Sequence, residues 1–178
     1  APGSQRSAPR LPWPAAVCSQ SCSPPPVATQ SPSEPPAPRF EPPDLASVPR
    51  PRVGYIGFIK KQLNWQVLVE LAEHHQAWNF VFVGKRSPHS VIDEPIRRIS
   101  ALPNVTFVGA KNVADLPAYP QHFDVCLMPY RLDDYTKYID PLKLYEYLAS
   151  GRPVVSSPIP AIDDVCHLVE VATTCDEW

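Results

Sequence analysis

The sequence predicts an α/β fold: a Rossmann-like parallel sheet with helices on both faces, one lobe of a larger architecture. Three observations carry that prediction. From Val53 onward, short apolar runs alternate with segments of helical period. Several of the runs close on glycine, at Gly57, Gly84 and Gly109. The runs are continuously apolar, as in Phe80 to Val83, which suits strands covered on both sides. Strand and helix alternating at this rhythm imply right-handed crossovers between parallel strands.

The elements follow in order. Val53 to Ile59 reads as a first buried strand with glycines at its end. Asn64 to Gln76 is an amphipathic helix, because Val67, Leu68, Leu71 and Ala72 share a face. Trp78 to Gly84 is a second strand, and Val91 to Ala101 a weaker helix with Arg97 and Arg98 on its polar side. Asn104 to Gly109 is a third strand, and Val113 to Tyr119 a helical turn cut by Pro117 and Pro120. Asp124 to Pro129 is a fourth strand, Pro141 to Ser150 a helix closed by Gly151, and Pro153 to Ser156 a fifth strand. A sixth is expected over His167 to Ala172.

The first 52 residues have a different texture. Fifteen of the 25 prolines among 178 residues fall there, with almost no apolar periodicity. Such a stretch cannot repay the entropy of ordering, so 1–52 is expected to be a disordered proline-rich segment or linker and 53–178 the folded lobe. A net charge of −2 without a basic block argues against nucleic-acid binding. No apolar run is long enough to span a bilayer, and the prolines interrupt every candidate signal core. The five cysteines form no disulfide framework, and Cys18 and Cys22 have no further metal ligands nearby, so a cytoplasmic protein without metal or cofactor is expected. Cys126, inside a strand, reads as an inert core thiol; His74 and His75 read as surface residues.

In a sheet of this kind ligands bind beyond the carboxyl ends of the strands. Here that edge comprises Gly57 to Lys61, Gly84 to Arg86, Gly109 to Lys111 and the loop from Pro129 to Asp140. Asp140 is a good N-cap residue, and Pro141 a natural first residue of the helix that follows. Its amides would then face the ligand edge, where helix N-termini attract anions. Lys143 and Glu146 share a face near that end, while Leu142, Tyr145 and Ala149 follow the spacing of a sheet-facing stripe. Spacing alone leaves two readings open: an ordinary solvated pair, or a site with a cation for phosphate and a carboxylate for a sugar diol. Asp133 and Asp134 in the loop admit a cation or simple solvation equally well.

The run Asp140-Pro-Leu-Lys-Leu-Tyr-Glu-Tyr-Leu-Ala-Ser-Gly-Arg-Pro-Val-Val155 resembles the nucleotide-sugar-binding helix of group 1 (retaining) glycosyltransferases of the GT-B fold. The resemblance continues through Leu102 to Gly109, Leu116 to Tyr119, Phe123 to Pro129 and Val53 to Gly57, and covers about 39–162 in consistent order. It implies a donor-binding lobe of a glycosyltransferase that moves a sugar from a UDP- or GDP-type nucleoside diphosphate to an unknown acceptor. By the resemblance Glu146 binds the ribose, and Lys60 and Lys61, with Lys143 and Leu144 from the helix, meet the diphosphate. Gly57 closes the first strand beside them, and the backbone of Gly109, Ala110 and Lys111 lies where the base would sit. Arg131 and Lys137 are weaker candidates of the same kind.

Two departures stand out. The family's paired-glutamate motif would place its first acid at Tyr138, so Asp140 is expected to take over part of that role beside the donor sugar, as the second catalytic candidate with Glu146. The proline-rich start does not look like the acceptor lobe of such an enzyme, and Thr173 to Trp178 stops before the family's final helices. The chain alone is therefore expected to be inactive, with any peripheral membrane association belonging to the full-length protein. The alternatives are a non-catalytic nucleotide-binding or interaction module and a nucleotide-sugar epimerase of the same architecture.

Overall fold

A computed structural model describes residues 40–87 and 94–178. Cys18, Cys22, most of the proline-rich start and the first residues of the expected second helix lie outside the described residues. Six strands form one parallel sheet in the order β3-β2-β1-β4-β5-β6: β1 Arg52–Ile56, β2 Asn79–Val83, β3 Val105–Gly109, β4 Val125–Met128, β5 Val154–Ser156 and β6 Glu170–Val171. The order in which strands are added reverses between β1 and β4, the topological switch point of a doubly wound sheet. The helices are α1 Trp65–His74, α2 Glu94–Ser100, α3 Ala118–Gln121 and α4 Lys143–Ala149.

Helix α1 begins where expected: the Asn64 side chain accepts from the Val67 amide at 3.4 Å, and Val67, Leu68, Leu71 and Ala72 are all buried. Its Trp65 packs on Phe82 of β2, which stacks in turn on Phe107 of β3 with centroids 4.9 Å apart. The short α3 lies later than the expected turn, because Pro120 sits within its first turn, where a missing amide costs no hydrogen bond. Of the expected sixth strand, His167 to Ala172, the first two residues end a 3-10 stretch, Pro160–Leu168, and β6 is only Glu170–Val171.

Residues 40–52, placed by composition outside the lobe, contribute to its core. Leu45 and Val48 are buried, and the Arg52 guanidinium donates to the carbonyls of Val48 and Leu45 and to Glu41 Oε1. A buried arginine is tolerated because every side of its fork meets an acceptor.

Helix α4 is rotated from the expected orientation. Leu142, Tyr145 and Ala149 face solvent, and Leu144 and Tyr147 point into the core. Apolar residues at 142, 144, 145, 147 and 148 ring this helix, so periodicity left two faces possible, and a backbone vacancy selects between them. Pairing of β1 with β4 covers only Val53–Val125 and Gly54–Cys126. Beyond it the Ile56 amide donates to Tyr147 Oη at 2.7 Å in a fully buried setting. Tyr147→Phe should therefore cost about 1–3 kcal/mol, the penalty of a buried amide left unpaired. Urea unfolding would measure it, and an unchanged midpoint would rule out a stabilising bond from the Ile56 amide to the Tyr147 hydroxyl.

Candidate functional site

The loops flanking the switch point are fastened to each other. The Asn64 amide donates to Pro129 O at 2.7 Å, the Arg131 amide to Gln62 O at 2.8 Å, and Trp65 Nε1 to Lys60 O at 3.0 Å. This holds Lys60 against the loop after β4, where its ammonium lies 4.8 Å from the Tyr135 ring centroid and 3.1 Å from that hydroxyl. Between them opens a cleft of about 660 Å³ lined by Lys60, Tyr130, Tyr135, Tyr138, Asp140 and neighbouring residues. That volume is within the range of small-ligand sites.

The loop itself is built by Asp133 and the buried Thr136. Asp133 Oδ1 accepts from the amides of Tyr135 and Thr136, and Thr136 Oγ1 donates to Arg131 O at 2.6 Å. These bonds hold the Asp133 carboxyl below its usual range, the Thr136 amide contributing most. Asp133 is thus committed to the turn, and Asp134 pairs with Lys137 at 2.7 Å. Among the described residues no three His, Cys, Asp or Glu side chains group as metal ligands would.

Among the described cations Lys143 sits in the most unusual setting. Its Nζ donates to Tyr55 Oη at 2.6 Å and lies 4.1 Å and 5.3 Å from the ring centroids of Tyr55 and Tyr130. Burial, then repulsion from Lys60, brings its pKa down to about 7, against a weaker pull from Glu146. Gly57 makes the room: a Cβ there would stand 2.7 Å from Lys143 Nζ, and its φ of +136° disfavours any side chain.

The other expected site residues separate. Glu146 is exposed on α4 and does not line the cleft, though its charge is felt at Lys143. Asp140 lines the cleft but does not cap α4. The Pro141 carbonyl already accepts the Leu144 amide at 2.9 Å, so a tight turn precedes the helix and moves its start to Lys143. Leu144 is fully buried with that amide used, and the amides of Tyr145 and Glu146 both reach Leu142 O. Lys111 turns to Asp44, 2.7 Å away, rather than to the cleft; Gly109 and Ala110 remain at the sheet edge, and Lys61 is exposed beside it. Cys126 is buried, its thiol pushed up to about 12 by desolvation. The sequence reading missed Tyr55, Tyr130 and Tyr135. The only available signal was a tyrosine in each apolar run bordering the switch point.

Comparison with known proteins agrees with this architecture. TuaH of Bacillus subtilis (strain 168), named for a teichuronic acid biosynthesis glycosyltransferase, is 34% identical over 109 residues, which are 61% of this chain and 27% of that protein. Among solved structures, Anabaena HepE (Alr3699), in complex with UDP and glucose, superposes with a TM-score of 0.55 at 19% identity, over 70% of this chain and 35% of its own. AviGT4, a glycosyltransferase of avilamycin A biosynthesis, gives 0.55 at 19% identity over 72% and 40%. The chain thus spans about a quarter to two fifths of the length of these proteins. Residues 50–174, the whole of the sheet described above, match the family model for glycosyl transferases group 1, and the chain belongs to that family.

Proposed function

We propose that this chain is the donor-binding half of a glycosyltransferase that moves a sugar from a nucleoside diphosphate to an acceptor, with the acceptor lobe contributed by sequence beyond it. The observation that carries this reading is the Lys143 ammonium, held at the carboxyl edge of the switch point beside a cleft that Lys60 and Asp140 line. Lys143 and Lys60 would neutralise the diphosphate as the glycosidic bond breaks, which is electrostatic stabilisation by pre-oriented donors. Asp140 would contact sugar hydroxyls at the cleft wall, and Glu146 would reach the ribose from the exposed face of α4. The backbone at Gly109 and Ala110 would border the base. The cleft among the described residues is assigned to the donor alone, and the chain by itself should bind donor without turning it over.

Titration of the chain with UDP, GDP and ADP tests the reading. Binding of one of them, weakened about 10- to 100-fold by Glu146→Ala, is expected from loss of charge-assisted bonds worth about 1.5–3 kcal/mol each. No binding of any nucleotide would reject it, and equal affinity of the variant would reject the role of Glu146. Turnover of a UDP-sugar by this chain would overturn the half-enzyme reading.

A further inference from the structure

The cradle around Lys143 is built mainly from residues outside the motif that drew attention to the helix. Tyr55 is buried in β1, with its ring against Phe82 at 6.3 Å between centroids. Its hydroxyl accepts from Lys143 Nζ and donates to Phe58 O at 3.2 Å, so the phenol cannot swing without breaking one of the two bonds. Tyr130, from the end of β4, closes the other side.

The groups facing Lys143 supply no close counter-charge. Lys60, from the loop after β1, repels it. Tyr55 and Tyr130 are kept neutral, burial raising both phenols. Glu146, on its own helix, attracts it without forming an ion pair within 4 Å, and no other described carboxylate comes that close. Lys111 and Lys137 show the contrast, since each has a carboxylate at 2.7 Å. An aimed ammonium with aromatic walls and no anion is a site waiting for an anionic ligand.

We propose that Tyr55 is the positioning residue for Lys143: its hydroxyl aims the ammonium at the donor diphosphate, and binding of that anion draws a proton from solvent onto the Lys143 amine. This rests on the nucleotide-binding reading above. The step is a simple protonation of a neutral amine, with buffer as the proton source. It follows because the free site leaves the amine partly neutral near pH 7, while a bound diphosphate favours the charged form.

The test uses the full chain and UDP, by calorimetry at pH 8 in two buffers of different ionisation enthalpy. Wild type should take up close to one proton per UDP bound, and Lys143→Met none. Tyr55→Phe, which keeps the ring, should weaken UDP about 5- to 30-fold, the size of one hydrogen bond to a charged group. In the free protein, NMR of the lysine side chains should show one amine titrating near 7, absent from Lys143→Met. Tyr55→Phe should lower that midpoint by about half a pH unit or more, because an acceptor for the charged form is gone. This readout does not need UDP and would not move for a residue that only packs. UDP binding with no proton uptake, or a Tyr55→Phe variant with wild-type affinity and midpoint, overturns this proposal alone. A lysine midpoint that responds to Tyr55→Phe in a chain that binds no nucleotide overturns the donor reading and, with it, the diphosphate step.

Discussion

Gly54→Ala should cost this protein about 3 kcal/mol, lowering its melting temperature by roughly 10 °C for a domain of this size. The expectation comes from the centre of the sheet. A Cβ on Gly54 would stand 2.0 Å from Phe123 Cδ2 and within 2.4 Å of two further ring atoms. Phe123 is fully buried between α3 and β4, so its ring has nowhere to retreat. Both neighbours of Gly54 in register are also core residues, Val81 of β2 and Cys126 of β4. Elsewhere a strand glycine exchanged for alanine gains stability, by about 0.5–1 kcal/mol, from reduced chain entropy. Here overlap with a rigid ring exceeds that gain. The double variant Gly54→Ala/Phe123→Leu should recover part of the loss, since the two sites share one volume and their effects will not add. Thermal unfolding of the three variants decides it, and an unimpaired Gly54→Ala would show that the ring can move.

The strand and helix alternation was legible because strands such as β2 and β4 carry continuous apolar runs, Phe80 to Val83 and Val125 to Met128, and α1 shows one apolar stripe. The parallel sheet, and so the edge on which a ligand would bind, followed from those patterns together with the handedness of crossovers. The run from Asp140 to Val155 marked the family. What could not be read was the orientation of a helix apolar on all sides: Leu144 and Tyr147 face inward because the Ile56 amide, left over where β1 and β4 part, takes the Tyr147 hydroxyl. Long-range partnerships were equally hidden. Nothing near Lys111 in sequence announces Asp44, and nothing in the proline-rich text before Glu41 indicates that Leu45 and Arg52 complete the core. Spacing places Glu146 and Lys143, three residues apart, on one face near the start of the helix. In the structure Lys143 folds beneath α4 against two tyrosines, and Glu146 stays exposed. The constellation therefore rests on aromatic residues from β1 and the end of β4, and no spacing rule connects Lys143 to Tyr55, 88 residues before it.

Lys143→Met should move stability and binding in opposite directions. On binding, loss of a partly buried cation from a charged contact costs about 2–5 kcal/mol, so UDP affinity should fall at least about 30-fold. On stability the sign follows from protons. The folded pKa of Lys143 is about 7, against an ordinary value of 10.5. Between those limits the unfolded chain holds the proton better than the folded one, so this group favours unfolding as pH falls through the window and exerts its full penalty below about 7. The drop from 10.5 to about 7 sets a ceiling of about 5 kcal/mol on that penalty. The Tyr55 bond to the ammonium reduces that penalty, and methionine refills the stem's volume imperfectly, so a gain of about 1–3 kcal/mol at pH 6 is expected. It should shrink steadily as the pH is raised toward 10. Urea unfolding at pH 6, 8 and 10 checks the trend. A variant no more stable than wild type at pH 6 would mean the ammonium is fully hydrated, whereas the predicted gain would show that the fold tolerates an uncompensated charge at the point where a diphosphate would supply the missing anion.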